Sequence, residues 1–299
     1  MREPATPQAR LTGKQIRQRL VEITGARLSG RIENVASHFA PDVIIHYNCA
    51  KYGLSTSDVI RGREAFFARL KRRDEDFEAV DGEILQMLVE GERSALRWRA
   101  QWRHRGTGRP WSVDMAFILR WRDGVVAEMH EYEDSPIPTP DVFGAVTPLA
   151  ALLSQPDPGL SREEMVDCVR QLADYLTPQG PDVELLRRHY APNVVCEFVG
   201  DPARIPYAGR HIGVEAVIGV VKAINVDFEQ LAFSLSDILV DRDALGCRRT
   251  VEWRHRGTGR RGIVELAEFT RFANGKIVEF VEYRDSMTIL EMQGDLESP

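Results

Sequence analysis

Two short stretches place a carboxylate and a phenol at the same spacing. They are EYED at Glu131–Asp134 and EYRD at Glu282–Asp285. On a strand, residues two apart point to one face, so Tyr132 pairs with Asp134 and Tyr283 with Asp285. Glu128 and Glu279 fall on that face too. A carboxylate at an apolar rim has its pKa raised and can exchange a proton with the carbon beside a carbonyl. A tyrosine next to it can donate a hydrogen bond to the enolate oxygen. Asp134 and Asp285 are therefore the expected acid/base pair, with Tyr132 and Tyr283 as oxyanion donors. Asp before Ser at a strand end also caps turns, which is the competing reading. His46 and Glu197 each interrupt an apolar run (VIIHYN, VVCEFV) and are candidate pocket partners, because a polar group there is costly unless used. His104 and His255 are candidate pocket bases, and Trp102 and Trp253 candidate pocket walls. No H-x-x-x-H or H-E-x-x-H motif occurs among the seven histidines, and no dinucleotide fingerprint leads a strand into a helix. The site is expected to be free of metal and cofactor.

The elements that must position these residues are written twice. The octamer WRHRGTGR stands at Trp102–Arg109 and again at Trp253–Arg260, 151 residues later. The same offset aligns FAPDV (39–43) with YAPNV (190–194), and Gly62, Glu64 and Ala65 with Gly213, Glu215 and Ala216. Between 98–135 and 249–286, 17 of 38 positions are identical, too many for chance. The chain is a tandem duplication of a whole domain, since this period is far too long for a solenoid. Six prolines between Ser135 and Gly159 mark the connection. The expected division is a first domain over 1–144, a linker over 145–158 with a short packed segment at Leu149–Leu153, and a second domain over 159–299. In each half, helices at about 12–28 and 31–39 (161–176 and 182–190) precede a strand carrying APDVIIHYN or its copy. An amphipathic helix then leads into four strands with hairpin signals such as RDG at 122–124. Helices first and an antiparallel sheet after make an α+β domain. In the octamer, the tryptophan packs and GTGR connects two strands. A phosphate cradle would need that loop to feed a helix.

This order, with YAPNVV, G-x-EA, RGTGR and NGKIVEFVEYRDS, resembles the SnoaL-like branch of the nuclear transport factor 2-like superfamily. That group includes ketosteroid isomerase, limonene epoxide hydrolase and polyketide cyclases. The resemblance covers both halves. It implies two cone-shaped domains, each a curved sheet wrapped over helices with a pocket at the open end. It also implies an acid/base aspartate at the positions of Asp134 and Asp285, and sheet-to-sheet packing of the two halves as an intramolecular pseudo-dimer, with further homo-oligomerisation open. The epoxide hydrolase pattern of Arg-x-Asp on a central strand is missing: RWRAQW and RRTVEW carry Arg97, Arg99 and Arg248 without the aspartate. The implied activity is proton transfer next to a carbonyl on a small hydrophobic molecule, as in an isomerase, cyclase or dehydratase. A non-catalytic binding protein, an assembly domain and an epoxide-opening enzyme stand as alternatives.

Composition narrows the partners. At 299 residues, 43% hydrophobic and 28% charged, the chain suits a globular protein with room for two cores. Its net charge of −6 gives no electrostatic case for nucleic acid. There is no apolar run long enough for a membrane span and no apolar stretch of signal-peptide type at the start. The four cysteines form no C-x-x-C pair. A bacterial, cytoplasmic protein with reduced thiols is the expectation.

Overall fold

The computed structural model describes residues 10–48, 59–133, 157–177 and 180–295. Two domains of matching topology result. The first runs α1 (Gly13–Leu28), α2 (Ile32–Ala36), β1 (Phe39–Tyr47), β2 (Val59–Arg61), α3 (Arg63–Asp76), β3 (Phe77–Glu90), β4 (Arg93–His104), β5 (Pro110–Arg122) and β6 (Val125–Glu133). The second runs α4 (Arg162–Ala173), a two-strand ribbon β7 (Leu176–Thr177) and β8 (Gly180–Pro181), then α5 (Val183–His189), β9 (Tyr190–Phe198), β10 (Gly209–Ile212), α6 (Val214–Asp227), β11 (Phe228–Asp241), β12 (Ala244–His255), β13 (Arg261–Ala273), β14 (Lys276–Arg284) and α7 (Ser286–Gln293). The sheets have the orders β2-β1-β6-β5-β4-β3 and β10-β9-β14-β13-β12-β11, with the β1–β6 and β14–β9 ladders parallel and the other pairs antiparallel. Residues 145–156 of the expected linker, with its segment at Leu149–Leu153, lie outside the described residues, as does Asp134.

Local chemistry is repeated as faithfully as topology. Both opening helices start in a capping box, Thr12 with Gln15 and Ser161 with Glu164. Before α3 and α6 the chain turns through Gly62 (φ 88°) and Gly213 (φ 93°), a conformation that only glycine adopts at no cost. The β5–β6 and β13–β14 hairpins close on Asp123-Gly124 and Asn274-Gly275, both residues at positive φ, the pairing that type I′ turns require.

The octamer builds the same turn twice. The Thr107 N–H donates to His104 Nδ1 at 3.1 Å, and His104 N–H to the Arg109 carbonyl at 2.9 Å. His255, Thr258 and Arg260 repeat both bonds at 3.1 and 2.9 Å. Trp102 and Trp253 are buried at the strand ends, Trp253 against Phe228. The repeated signature is thus a structural corner between β4 and β5, and between β12 and β13.

Each sheet covers its helices with one face, making a separate core per domain. The opposite faces meet. Leu88, Ala95, Ala116, Ile118 and Tyr132 of the first domain share a third cluster with Leu239, Ala244, Ala267, Phe269, Val281 and Tyr283 of the second. Ion pairs Arg17–Asp241, Arg120–Asp237 and Arg162–Glu90 rim this seam. Among the described residues, no helix is long and apolar enough to cross a membrane.

Candidate functional site

Strand alternation decides which side chains enter the cones, and the final strands put their glutamates there. On β6, Met129 and Glu131 face inward, while Glu128, His130 and Tyr132 face the other domain. On β14, Phe280, Glu282 and Arg284 face inward and Tyr283 outward. Glu131 and Glu282 occupy equivalent positions in the two cones.

In the first cone, Glu131 is 7% exposed and sits beside a cavity of about 50 Å³. The other walls are mostly apolar, including Leu20, Phe66, Trp98, Met115, Phe117 and Leu119. At roughly 10–15 Å³ of such volume per water, the space holds about three to five waters. Arg27 and Arg73 also line it. Both guanidinium groups lie over the Trp102 ring, at 5.2 and 4.5 Å, and Arg69 lies over Tyr47 at 4.3 Å. Arg27 Nη1 donates to Asp74 at 3.1 Å, whereas buried Arg27 Nη2 and Arg73 Nε have no hydrogen-bond partner. Burial raises the Glu131 pKa above the ordinary carboxylate value, and Arg73, Arg69 and Arg27 only partly offset it. A carboxyl group of raised pKa and two cationic donors thus share one small cavity.

The second cone has exchanged two of its apolar wall residues for an ion pair. Where the first cone has Trp98 and Phe117, the second has Arg249 and Glu268. Arg249 donates to Glu268 at 3.3 Å, to the Ala173 carbonyl at 2.8 Å and to Gln230 at 2.8 Å. Glu268 also accepts from Cys247 Sγ at 3.5 Å. Burial, and after it the like charge of Glu282, raises the Glu268 pKa against the pull of Arg249. Glu282 pairs with Arg284 at 2.7 Å, and that guanidinium lies over Phe198 and Tyr207. The remaining cavity is about 40 Å³.

The residues singled out by sequence are distributed differently. Tyr132 and Tyr283 line neither cone. Each phenol sits in the seam and accepts from an arginine of the other domain: Tyr132 from Arg248 Nε at 2.7 Å, Tyr283 from Arg97 Nε at 3.2 Å. Their expected oxyanion role is corrected on that geometry, because their strand face is the convex one. Asp285 is the N-cap of α7 and accepts from Thr288 N at 3.2 Å and Thr288 Oγ1 at 2.5 Å. Its carboxylate is engaged in capping, as the competing reading held, and the helix it caps was not foreseen. Glu197 and Glu279 border a polar groove along the seam, where Glu279 meets Arg97 and Arg271, each at 3.6 Å. His46 and Glu128 also lie on the convex face, with Glu128 Oε1 3.1 Å from His46 Nε2 and 3.4 Å from His130 Nε2. His104 and His255 belong to the octamer turns. Trp102 carries the arginines of the first cone, and Trp253 packs in the second core.

Sequence reasoning missed Glu131, Glu282, Arg27, Arg73, Arg249 and Glu268. The signal for the first two was present: both stand inside the repeated E-Y-x-D stretch, one residue off the chosen face.

The SnoaL-like domain family matches residues 18–129 and 169–280. Among solved structures, a protein named as an isomerase from Rhodopseudomonas palustris is 20% identical over 46% of this chain and 100% of its own, with a TM-score of 0.41. One named as a SnoaL-like polyketide cyclase from Jannaschia sp. CCS1 is 15% identical over 46% of this chain and 98% of its own, with a TM-score of 0.40. Another so named, from Mesorhizobium loti, is 20% identical over 39% and 97%, with a TM-score of 0.33. No curated protein matches.

Proposed function

Because the chain belongs to the SnoaL-like domain family and carries two copies of that domain, we propose that it is a cofactor-independent enzyme moving a proton next to a carbonyl, and that its chemistry resides in the first cone. Glu131 is the acid/base. Its carboxylate takes the proton from the carbon beside the carbonyl and returns it to another position or face. Arg73 Nε–H and Arg27 Nη2–H hold the oxygen as it becomes an enolate. The apolar walls at Trp98, Met115, Phe117 and Leu119 exclude water, which strengthens both effects.

The observation that carries this reading is the unspent chemistry around one cavity. A buried carboxylate with a raised pKa and two partnerless cationic donors border the same space. In the second cone Arg249 and Glu268 are joined by a hydrogen bond, while Arg249 Nε and the three Arg284 guanidinium nitrogens are likewise buried without a hydrogen-bond partner. The size of the cavity restricts the substrate. At about 50 Å³ it receives the reacting carbonyl end and not a multi-ring skeleton.

The second cone supports a different role. Its Glu268 is held by Arg249, which also bonds Gln230 and the Ala173 carbonyl, and this favours a bracing domain.

The test is proton exchange in deuterium oxide. Small hydrophobic ketones and aldehydes are incubated with the protein, and loss of the proton signal next to the carbonyl is followed by NMR. The reading expects catalysed exchange for at least one of them, lowered on the order of a hundredfold by Glu131→Gln. Exchange unchanged in Glu131→Gln overturns the assignment, and no exchange across the series overturns the reaction class.

A further inference from the structure

On the face of the first sheet turned away from the cone, three side chains outside the proposed reaction converge. Strand pairing brings them together. His46 and His130 are direct partners across the parallel β1–β6 ladder, and their rings stack 4.1 Å apart at 7°. Glu128 lies two residues before His130, hence on the same face. Its Oε1 is 3.1 Å from His46 Nε2 and 3.4 Å from His130 Nε2, and one donor atom from each residue falls within 4.8 Å of the others. We propose that His46, Glu128 and His130 form a binding site for one divalent transition-metal ion of the zinc or cobalt type.

Geometry and donor type both favour that class. Zinc bonds of about 2.0–2.1 Å in a tetrahedron put neighbouring donors roughly 3.3 Å apart, close to the two separations observed. Two imidazoles and one carboxylate suit zinc, cobalt or nickel, and not calcium or magnesium, which take oxygen. The three side chains already lie together, and the stacked imidazoles need only tilt to aim both Nε2 lone pairs at one ion. Glu128 Oε2 faces Arg120 at 3.7 Å, which leaves Oε1 for the imidazoles. The site is reachable, since the side chains of His46 and Glu128 are 30% and 28% exposed and that of His130 is 9%. Solvent can supply a fourth ligand.

Two contacts compete, the first being the hydrogen bond between His46 Nε2 and Glu128 Oε1 at 3.1 Å. Arg248 Nη1 lies 3.1 Å from His130 Nε2. Arg248 has two other partners, Tyr132 Oη at 2.7 Å and Asp237 Oδ2 at 3.2 Å, so it stays anchored when an ion displaces it from His130. The two nearby arginines, Arg120 and Arg248, are balanced by Asp237 and Glu128. The second domain has Glu197, Glu279 and Val281 at the equivalent places, so the site belongs to the first copy alone.

The experiment uses the full chain, freed of metal with a chelator. Zn²⁺ is titrated by calorimetry and Co²⁺ by visible absorption. The proposal expects one equivalent of each and the intense ligand-field bands of four-coordinate cobalt. His46→Gln and His130→Gln should each weaken binding by about tenfold or more. NMR of the unsubstituted protein supplies a readout that needs no variant: of its seven histidines, His46 and His130 should shift with the first equivalent of Zn²⁺. No binding, unchanged affinity in both variants, or shifts confined to other histidines overturns the site. Proton exchange at Glu131 plays no part in these readouts, so the two proposals fail separately.

Discussion

The two cones began as one and now differ most where their walls meet the ligand space. Turns, caps and the buried glutamate of the last strand are kept, down to equal hydrogen-bond lengths in the octamer. The side chains facing that glutamate are not. Trp98 and Phe117 keep the first cone apolar and leave Glu131 without a matched partner, whereas Arg249 and Glu268 put a hydrogen-bonded ion pair into the second. A duplicated scaffold tolerates this because the backbone is fixed by glycines, caps and hairpins that do not involve the cavity. Wall residues are free to trade reactivity for bracing.

The largest effect expected on stability breaks the second network. Glu268→Ala leaves Arg249 buried without its charge partner and should cost about 3–5 kcal/mol in a denaturation experiment. Replacing both residues with those of the first cone, Arg249→Trp with Glu268→Phe, should cost less than the single change. A buried pair swapped for apolar side chains is often near neutral. If the double variant is the less stable of the two, the cones are not interchangeable in the way proposed.

Next in size are the seam tyrosines. Tyr132→Phe or Tyr283→Phe deprives Arg248 or Arg97 of an acceptor and should lower stability by about 1–3 kcal/mol. Neither should alter the rate of proton exchange. A rate loss in either variant with stability intact would return the phenols to the chemistry. The smallest effect is at Asp285. Asp285→Ala removes a helix cap and should cost about 1 kcal/mol, with no change in exchange rate.

Much of this architecture was legible in the sequence. The offset of 151 gave the duplication, and alternation put Glu128 and Tyr132 on one face, as the strand has them. Period two fixes which residues share a face but not which face is inside. That depends on where the helices pack and on what covers the other side. The convex face here is buried by the second domain, so Tyr132 and Tyr283 look as apolar in context as any cone residue. Arg27 and Arg73 sit on helices and reach the cavity only through stacking on Trp102, which no local pattern announces. The His46–Glu128–His130 cluster is invisible to spacing motifs because two strands 84 positions apart supply its histidines. Helix α7 begins at an Asp-Ser pair that reads equally well as a turn.

The central claim is that burial in the first cone raises the pKa of Glu131 above that of an ordinary glutamate, which makes its carboxylate a stronger base. A raised folded-state pKa has a definite sign: the folded chain holds this proton more tightly than the unfolded one. Its contribution to stability is therefore complete below the ordinary glutamate pKa and is lost as pH rises through the folded value. Carboxylate ¹³C NMR across a pH series, with the Glu131 signal identified by its disappearance in Glu131→Gln, measures that value directly. The account predicts a midpoint above the ordinary glutamate value of 4.5. A midpoint at or below it would mean that Arg27, Arg69 and Arg73 simply neutralise a structural carboxylate, and the first cone would have no base held for reaction.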